Sequence, residues 1–305
     1  MDTAKKMIDS AYNAGADAIK FQTYKSENFL SESSEYFDFF KNVELSYNDF
    51  KVLKDYSDNL GITFLSTPFD FQSADFLEEI GVSAFKIASS DLTNTPLIEH
   101  IAKMNLPMII STGLGTFNEI DESIKICTSV GNEKIAILHC VADYPANPEE
   151  TNLDALVSMK NKYEFPIGYS DNGESEIVDE VAVSLGADII EKHFTLDKKM
   201  SGPDHSFSIL PNDMKQLIEK FRLIKKIKGD GNKSPNESEI NNKIAIRKSI
   251  TCSKFIKNGE NFSLENIAIK RPGNGIEPKF LREIIGKKAN HDIEKDEQIK
   301  WDYIS

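Results

Sequence analysis

The sequence predicts an α/β protein: a (β/α)8 barrel of the TIM type that lacks its first strand, followed by a small, mostly β domain. Three observations carry this reading. Short apolar runs of strand length alternate strictly with amphipathic helical stretches, seven strands to eight helices, and strict alternation implies a parallel sheet. Each apolar run ends in polar residues, as in parallel β/α proteins whose chemistry sits at the carboxyl ends of the strands. After a polar stretch containing Gly and Pro, the alternation stops and turn dipeptides take over.

Residues 2–14 carry Ala4, Met7, Ile8 and Ala11 at helical spacing, and Gly15 ends the run. Asp17 to Thr23 reads as a buried strand that finishes in Lys20, Gln22 and Thr23. A long polar and aromatic loop is expected from Ser26 to about Glu44, then a helix over 47–60. Strand Ile62–Leu65 ends in Ser66 and Thr67; helix 71–80 leads to strand Ala84–Ala88, which ends in Ser89, Ser90 and Asp91. Helix 95–104 leads to strand Pro107–Ile110 with Ser111 and Thr112; helix 117–129 leads to strand Ile135–Leu138 with His139 and Cys140. Helix 152–162 leads to strand Phe165–Gly168 with Tyr169, Ser170 and Asp171. Helix 175–185 precedes Asp188-Ile-Ile-Glu-Lys-His-Phe-Thr195, where an apolar strand turns abruptly into Glu191, Lys192 and His193. Met214, Leu217, Ile218, Phe221, Ile224 and Ile227 share one face of a last helix over 212–228.

The chain begins on a helix with no strand before it. A barrel short of one stave would expose two edges and open its core. The expectation is an upstream strand outside this sequence, with some other closure of the fold as the alternative. Domain boundaries are expected at 1–228 for the barrel, 229–242 for a polar linker and 243–305 for the β module, in which 245–255 and 267–270 read as short strands. Asn258-Gly259, Pro272-Gly273 and Asn274-Gly275 supply its turns.

The bulk numbers bound the function. With 305 residues, 40% of them hydrophobic, the chain can build one large α/β domain and a smaller one. A net charge of −13 argues against nucleic acid or an anionic membrane as partner. A small anionic substrate is not excluded, because a few lysines inside a pocket outweigh a distant acidic surface. Cys127, Cys140 and Cys252 are scattered without metal-type spacing, which points to a reducing, cytoplasmic setting. No apolar run reaches membrane-spanning length, and the polar first residues are not a signal peptide.

In a barrel the polar strand ends converge on one mouth: Lys20 and Gln22, Ser66 and Thr67, Lys86 and Ser89, Ser111 and Thr112, His139, Ser170 and Asp171, Glu191 and His193. Two lysines among hydroxyls suit a ligand carrying phosphate and carboxylate, since Lys supplies a point charge and Ser and Thr supply short donors. Lys86 stands between Phe85 and Ile87 on a run that should be buried, so a functional lysine is favoured over a snorkelling one. Ser111 can serve as a helix N-cap as well as a ligand donor. His193 can equally be a hydrogen-bonded core histidine and Glu191–Lys192 a solvated pair. A barrel lysine also permits Schiff-base aldolase chemistry, which composition alone does not separate from anion binding.

Several motifs taken together resemble the bacterial sialic acid synthases. They are Ala14-Gly-Ala-Asp-Ala-Ile-Lys-Phe-Gln-Thr23, Phe64-Leu-Ser-Thr-Pro-Phe69, Phe85-Lys-Ile-Ala-Ser-Ser90 and Ile110-Ser-Thr-Gly113. Leu138-His-Cys140 with Tyr144-Pro145, Gly168-Tyr-Ser-Asp171, Glu191-Lys-His-Phe-Thr195 and Gly202-Pro-Asp-His205 continue the series in order. Lys270-Arg-Pro-Gly-Asn-Gly-Ile276 resembles the antifreeze-like (SAF) domain that ends those enzymes. The resemblance implies condensation of phosphoenolpyruvate with an N-acetylmannosamine-type amino sugar, giving a nonulosonic acid (N-acetylneuraminate, legionaminate or pseudaminate) and phosphate. It implies that Lys20, Thr67, Lys86, Ser89, Ser111 and Ser170 hold phosphoenolpyruvate and that Gln22 and Tyr144 lie near the sugar. Glu191 and His193 would lie at a divalent ion, Mn2+ or Mg2+. Arg271 would reach into the neighbouring subunit's site of a domain-swapped homodimer, where its planar guanidinium can bind sugar oxygens in bidentate fashion.

Two departures from the family pattern stand out. The family's first strand, with an acidic residue near the active site, has no counterpart here. The family also commonly has His after the Ser-Asp pair as second metal ligand, where this chain has Asn172. An amide oxygen is a weaker ligand than imidazole for a transition metal, so Asp171 is a candidate substitute. These departures support a rival expectation, a degenerate, non-catalytic paralogue that binds sugar or serves in assembly.

Overall fold

The apolar runs become the strands of a single parallel sheet in the computed structural model, which describes residues 1–305. The chain divides into two compact units, Met1–Gly229 and Asp230–Ser305. In the first unit the order is α1 (Asp2–Ala14), β1 (Ala18–Thr23), α2 (Ser26–Phe29), α3 (Phe37–Val43), α4 (Tyr47–Leu60), β2 (Thr63–Pro68), α5 (Phe71–Glu79), β3 (Phe85–Ile87) and α6 (Thr95–Lys103). It continues with β4 (Met108–Ser111), α7 (Phe117–Ser129), β5 (Ile135–Cys140), α8 (Asp154–Lys162), β6 (Ile167–Asp171), α9 (Glu176–Ser184), β7 (Ile190–Lys192) and α10 (Pro211–Lys228).

Local chemistry sets the helix ends. Gly15 and Gly61 close α1 and α4 at φ 87° and 88°, a left-handed conformation that glycine adopts without a Cβ penalty. Ser46 with Asp49 and Thr116 with Glu119 form reciprocal capping boxes that start α4 and α7. The stretch from Ser26 to Glu44, expected as loop, contains the short helices α2 and α3. It is tied down by Glu44, whose carboxylate takes Lys25 Nζ at 2.8 Å and both the backbone N–H and hydroxyl of Ser26.

The strands run β1 to β7 in sequence order, every neighbouring pair parallel. β1 and β7 are the two edges. A flat sheet of seven strands would hold them about 29 Å apart, six spacings of ~4.8 Å. Yet Lys20 of β1 and Glu191 of β7 form an ion pair at 3.4 Å, so the sheet curls until the interior side chains of its edges meet. α10 packs against both α9 and α1, carrying the helical layer past the gap between the edge strands. This is a barrel-type fold with seven staves. The outward faces of the strands, including Phe64, Phe85, Ile87, Met108, Ile110, Ile135 and Ile137, are buried against the helices, each contributing about 1.5–3 kcal/mol relative to exposure.

The second unit holds α11 (Glu237–Ile246), the antiparallel pair β8 (Ser249–Cys252) and β9 (Ile267–Lys270), and α12 (Leu281–Ile284). Isolated bridges such as Ile256 with Ile293 and Ala289 with Ile304 extend its β character. Its own core gathers Ile250, Ile256, Phe262, Ile276, Ile284 and Ile299. Here the structure corrects the sequence reading. Residues 237–246, expected as linker and the start of a strand, are helical, because Asn236 caps Glu239 N–H and the Glu239 carboxylate returns to Asn236 N–H, both at 2.9 Å. Cys127, Cys140 and Cys252 are free thiols and buried. No helix is long and apolar enough to cross a membrane.

Candidate active site

Strand alternation sorts the polar strand ends into two groups. Successive residues point to opposite faces of a sheet. In the observed register Gln22 lies level with Thr67, Lys86 with Ile109, Ser111 with Leu138, Cys140 with Ser170, and Ser170 with Glu191. Lys20, Gln22, Thr67, Lys86, Ser111, Ser170 and Glu191 therefore share the inner face. Ser66, Thr112, His139 and Asp171 are one residue out of phase and turn to the helical side. Ser66 bonds Thr23 at 2.7 Å, the Thr112 hydroxyl donates to the Leu138 carbonyl at 3.0 Å, and His139 Nε2 meets the Thr151 carbonyl at 2.7 Å. The expectation that all these polar ends face one mouth is corrected for these four residues.

The inner group is built around Lys86. It is 2% exposed, its Nζ donates to the Ser111 hydroxyl at 2.6 Å and the Ile87 carbonyl at 2.9 Å, and Glu191 Oε1 stands 3.7 Å away. Burial pushes its pKa down to about 8, against the pull of Glu191 and with the repulsion of Lys20. Glu191 bridges the two lysines, with Oε2 3.4 Å from Lys20 Nζ, and accepts the Ser170 hydroxyl at 2.8 Å. Burial alone would raise its pKa; Lys20 and Lys86 outweigh burial and hold it down at about 2. Two ammonium groups and one carboxylate leave one net positive charge at the floor of the mouth, ringed by short hydroxyl donors. That arrangement suits a compact anion.

The rim is aromatic. Tyr144, half exposed, meets the His193 ring edge-on at 5.9 Å, and Phe207 stands 5.2 Å from His193. Burial lowers the His193 pKa, so the imidazole is neutral at pH 7. Gln22 is exposed at the same end, and the Ser89 hydroxyl accepts the Gly113 N–H at 3.0 Å, linking the segments that follow β3 and β4. Arg271 is exposed in the second unit, directly after β9. An apolar cavity of about 800 Å³, lined among others by Ala84, Pro107, Ile109, Ala136 and Phe165, opens at the opposite, amino end of the strands. It carries none of this chemistry.

Of the donors expected for a divalent ion, one turns away from the inner face. Asp171 is on the outer face, 1% exposed, with Oδ2 bonded to Lys192 and Oδ1 accepting Gly173 N–H at 2.8 Å. Asn172 spends its amide N–H on the Val141 carbonyl at 2.7 Å. His193 Nδ1 lies 3.6 Å from Asp204 Oδ2, and no group of three or more His, Cys, Asp or Glu side chains suited to hold a metal occurs. Asp204 belongs to the Gly202-Pro-Asp-His205 motif, whose polarity is the sequence signal for its place beside His193. The pairing of Glu191 with Lys192 as neighbours on the surface is also corrected, since the two side chains leave β7 in opposite directions.

The family model described as the NeuB family matches residues 7–233, and that of the SAF domain matches residues 247–305. An N,N'-diacetyllegionaminic acid synthase of Campylobacter jejuni is 40% identical over 316 residues, covering 98% of this chain and 95% of that protein. A protein of the same name from Legionella pneumophila is 35% identical, covering 100% of this chain and 90% of its own length. The crystal structure of an N-acetylneuraminic acid (sialic acid) synthetase from Leptospira borgpetersenii, solved with citrate, superposes with a TM-score of 0.76 at 40% identity, covering 79% of this chain and 84% of that one.

Proposed function

Since the chain belongs to the NeuB family, we propose that it condenses phosphoenolpyruvate with an N-acetylmannosamine-type amino sugar, giving a nonulosonic acid and phosphate. The observation that carries the reading is the Lys20–Glu191–Lys86 group with its Ser111 and Ser170 hydroxyls at the carboxyl ends of parallel strands. Lys86 and Lys20 would bind the phosphate and carboxylate of phosphoenolpyruvate, with Thr67, Ser89, Ser111 and Ser170 as further donors. Gln22 and Tyr144 would contact the sugar. C3 of the enol attacks the sugar aldehyde, whose oxygen takes up a proton. Water adds at C2 and gives up a proton, and phosphate departs by cleavage of its C–O bond. Glu191, held as a carboxylate by Lys20 and Lys86, can orient the two lysines on the anion, the proton from water passing to solvent, and neutral His193 can hydrogen-bond at the rim.

Phosphate release from phosphoenolpyruvate tests this. N-acetylmannosamine and its 6-deoxy-diacetamido relatives are supplied in turn, with Mn2+ or Mg2+ and with a chelator. Sugar-dependent release is the expected result, and the chelator arm decides whether a divalent ion is required. No release with any sugar or ion from folded protein would overturn the reading.

Two rivals are judged by the same experiment. Asn172, standing where the family pattern has a histidine ligand, favours a non-catalytic sugar-binding paralogue, which would never release phosphate. Lys86, buried with a pKa of about 8, suits a Schiff-base aldolase, which borohydride would trap as a covalent pyruvate adduct. The proposal extends to a domain-swapped homodimer in which Arg271 completes the partner's site, measured by sedimentation and by mixing Arg271→Ala with Lys86→Ala protein.

A further inference from the structure

One cluster of buried charge takes no part in the site. Lys192 Nζ is bonded to Asp171 Oδ2, lies 3.1 Å from Asp179 Oδ2 and donates to the Gly173 carbonyl at 3.0 Å. The three side chains are 3%, 1% and 0% exposed. Asp171 Oδ1 also accepts the Tyr169 hydroxyl at 3.4 Å. Asp179 has no hydrogen-bond donor besides Lys192, whose ammonium pairs with its Oδ2 at 3.1 Å.

Such a cluster is a poor way to stabilise a fold. Burying charge carries a desolvation penalty of several kcal/mol per ion, and apolar residues of similar volume are often as stable or more so. Its position suggests another role. The three residues join β6, α9 and β7, and β7 is an edge strand of only three residues. The Asp171–Lys192 pair is the rung immediately after Ser170–Glu191. Glu191 and His193 flank Lys192 in the chain and face the mouth, so fixing Lys192 on the outer face fixes both by alternation.

We propose that Lys192, Asp171 and Asp179 form a positioning clasp that holds β7 in register on β6 and thereby sets Glu191 between Lys20 and Lys86. The clasp acts through Glu191 and does not touch substrate. The inference rests on the reading of Lys20, Lys86 and Glu191 as the reaction site.

The test is the near-isosteric, charge-free variant Lys192→Met/Asp171→Asn/Asp179→Asn. Lys192→Met alone would strand the buried Asp171 carboxylate, a cost of about 3–5 kcal/mol. Three quantities are measured: stability by urea melt, kcat and KM in the wild-type and Glu191→Gln backgrounds, and the crystal structure. The expected result is a triple variant at least as stable as wild type, with Glu191 displaced by more than about 0.5 Å and kcat down about 100-fold. In the Glu191→Gln background it causes no further loss, because residues acting as one unit are not additive. Wild-type kcat in the folded triple variant, or an equal loss in both backgrounds, overturns the inference. Should the triple variant fail to fold, Asp179→Asn, which leaves a neutral Lys192–Asp171 pair, takes its place with the same readouts. If the wild-type protein releases no phosphate, the functional reading fails; the crystal comparison then decides the clasp, and a superposed Glu191 overturns it.

Discussion

Replacing Lys86 by methionine should make the protein more stable and abolish its chemistry. Lys86 is 2% exposed and burial lowers its pKa from 10.5 to about 8. A lysine depressed in this way binds its proton less tightly folded than unfolded. Below pH 8 the charge is present in both states, and the folded state carries the full penalty. A lowering from 10.5 to about 8 corresponds to a penalty on the order of 3 kcal/mol. Methionine has similar length and no charge. It forfeits the two hydrogen bonds to Ser111 and Ile87, each worth roughly 1 kcal/mol net. The balance is a gain of about 1 kcal/mol at pH 7. Wild-type stability should moreover climb as pH rises from 8 towards 10.5, where the unfolded chain alone holds the proton, and this climb should vanish in Lys86→Met. Urea melts at pH 7 and pH 9.5 measure both effects, and phosphate release measures the chemistry. A variant less stable than wild type at pH 7 that keeps the same pH slope would refute the reasoning, because Lys86 would then be a structural lysine held by its partners.

Three further outcomes follow from the same geometry. Affinity for phosphoenolpyruvate, read by calorimetry, should weaken above pH 8 by about tenfold per pH unit as Lys86 loses its proton, and a flat profile to pH 9.5 would contradict the role of its charge. Glu191→Gln should bind inorganic phosphate about tenfold more tightly, since the carboxylate that competes for Lys20 and Lys86 is gone, while turnover falls; unchanged phosphate affinity would show that the anion does not sit between the lysines. Gly168→Ala should destabilise the first unit by about 1–3 kcal/mol in a thermal melt, because a Cβ there would lie 2.4 Å from the Ile189 carbonyl oxygen and 2.6 Å from Leu138 Cδ2; a wild-type melting temperature would mean that β7 can move aside.

What could be read in the sequence followed from periodicity. Seven strands and the eight principal helices of the first unit announced themselves because an apolar run of strand length and an amphipathic turn of 3.6 residues are distinct patterns, and Lys86 was conspicuous between Phe85 and Ile87. Helix α11 was hidden because Gly, Pro and Asn before it read as linker, although Asn236 followed by Glu239 was a capping box in plain view. The curl that brings β1 to β7 had no local signal; it is a property of the whole sheet. The clasp was hidden for a different reason. Polarity alone groups Ser170 with Asp171 and Glu191 with Lys192, whereas a period of two separates them. The telling residue is Asp179, which sits with Val178, Ala182 and Val183 on the buried face of α9, where a carboxylate without a partner would be costly. A helix that buries an acid must face a buried base, and Lys192 is the base that meets it. The reacting group and its support are thus interleaved along the same two strands, even residues of one set and odd of the other in β7. A substitution one position away from Glu191 therefore tests a different physical question from a substitution at Glu191 itself.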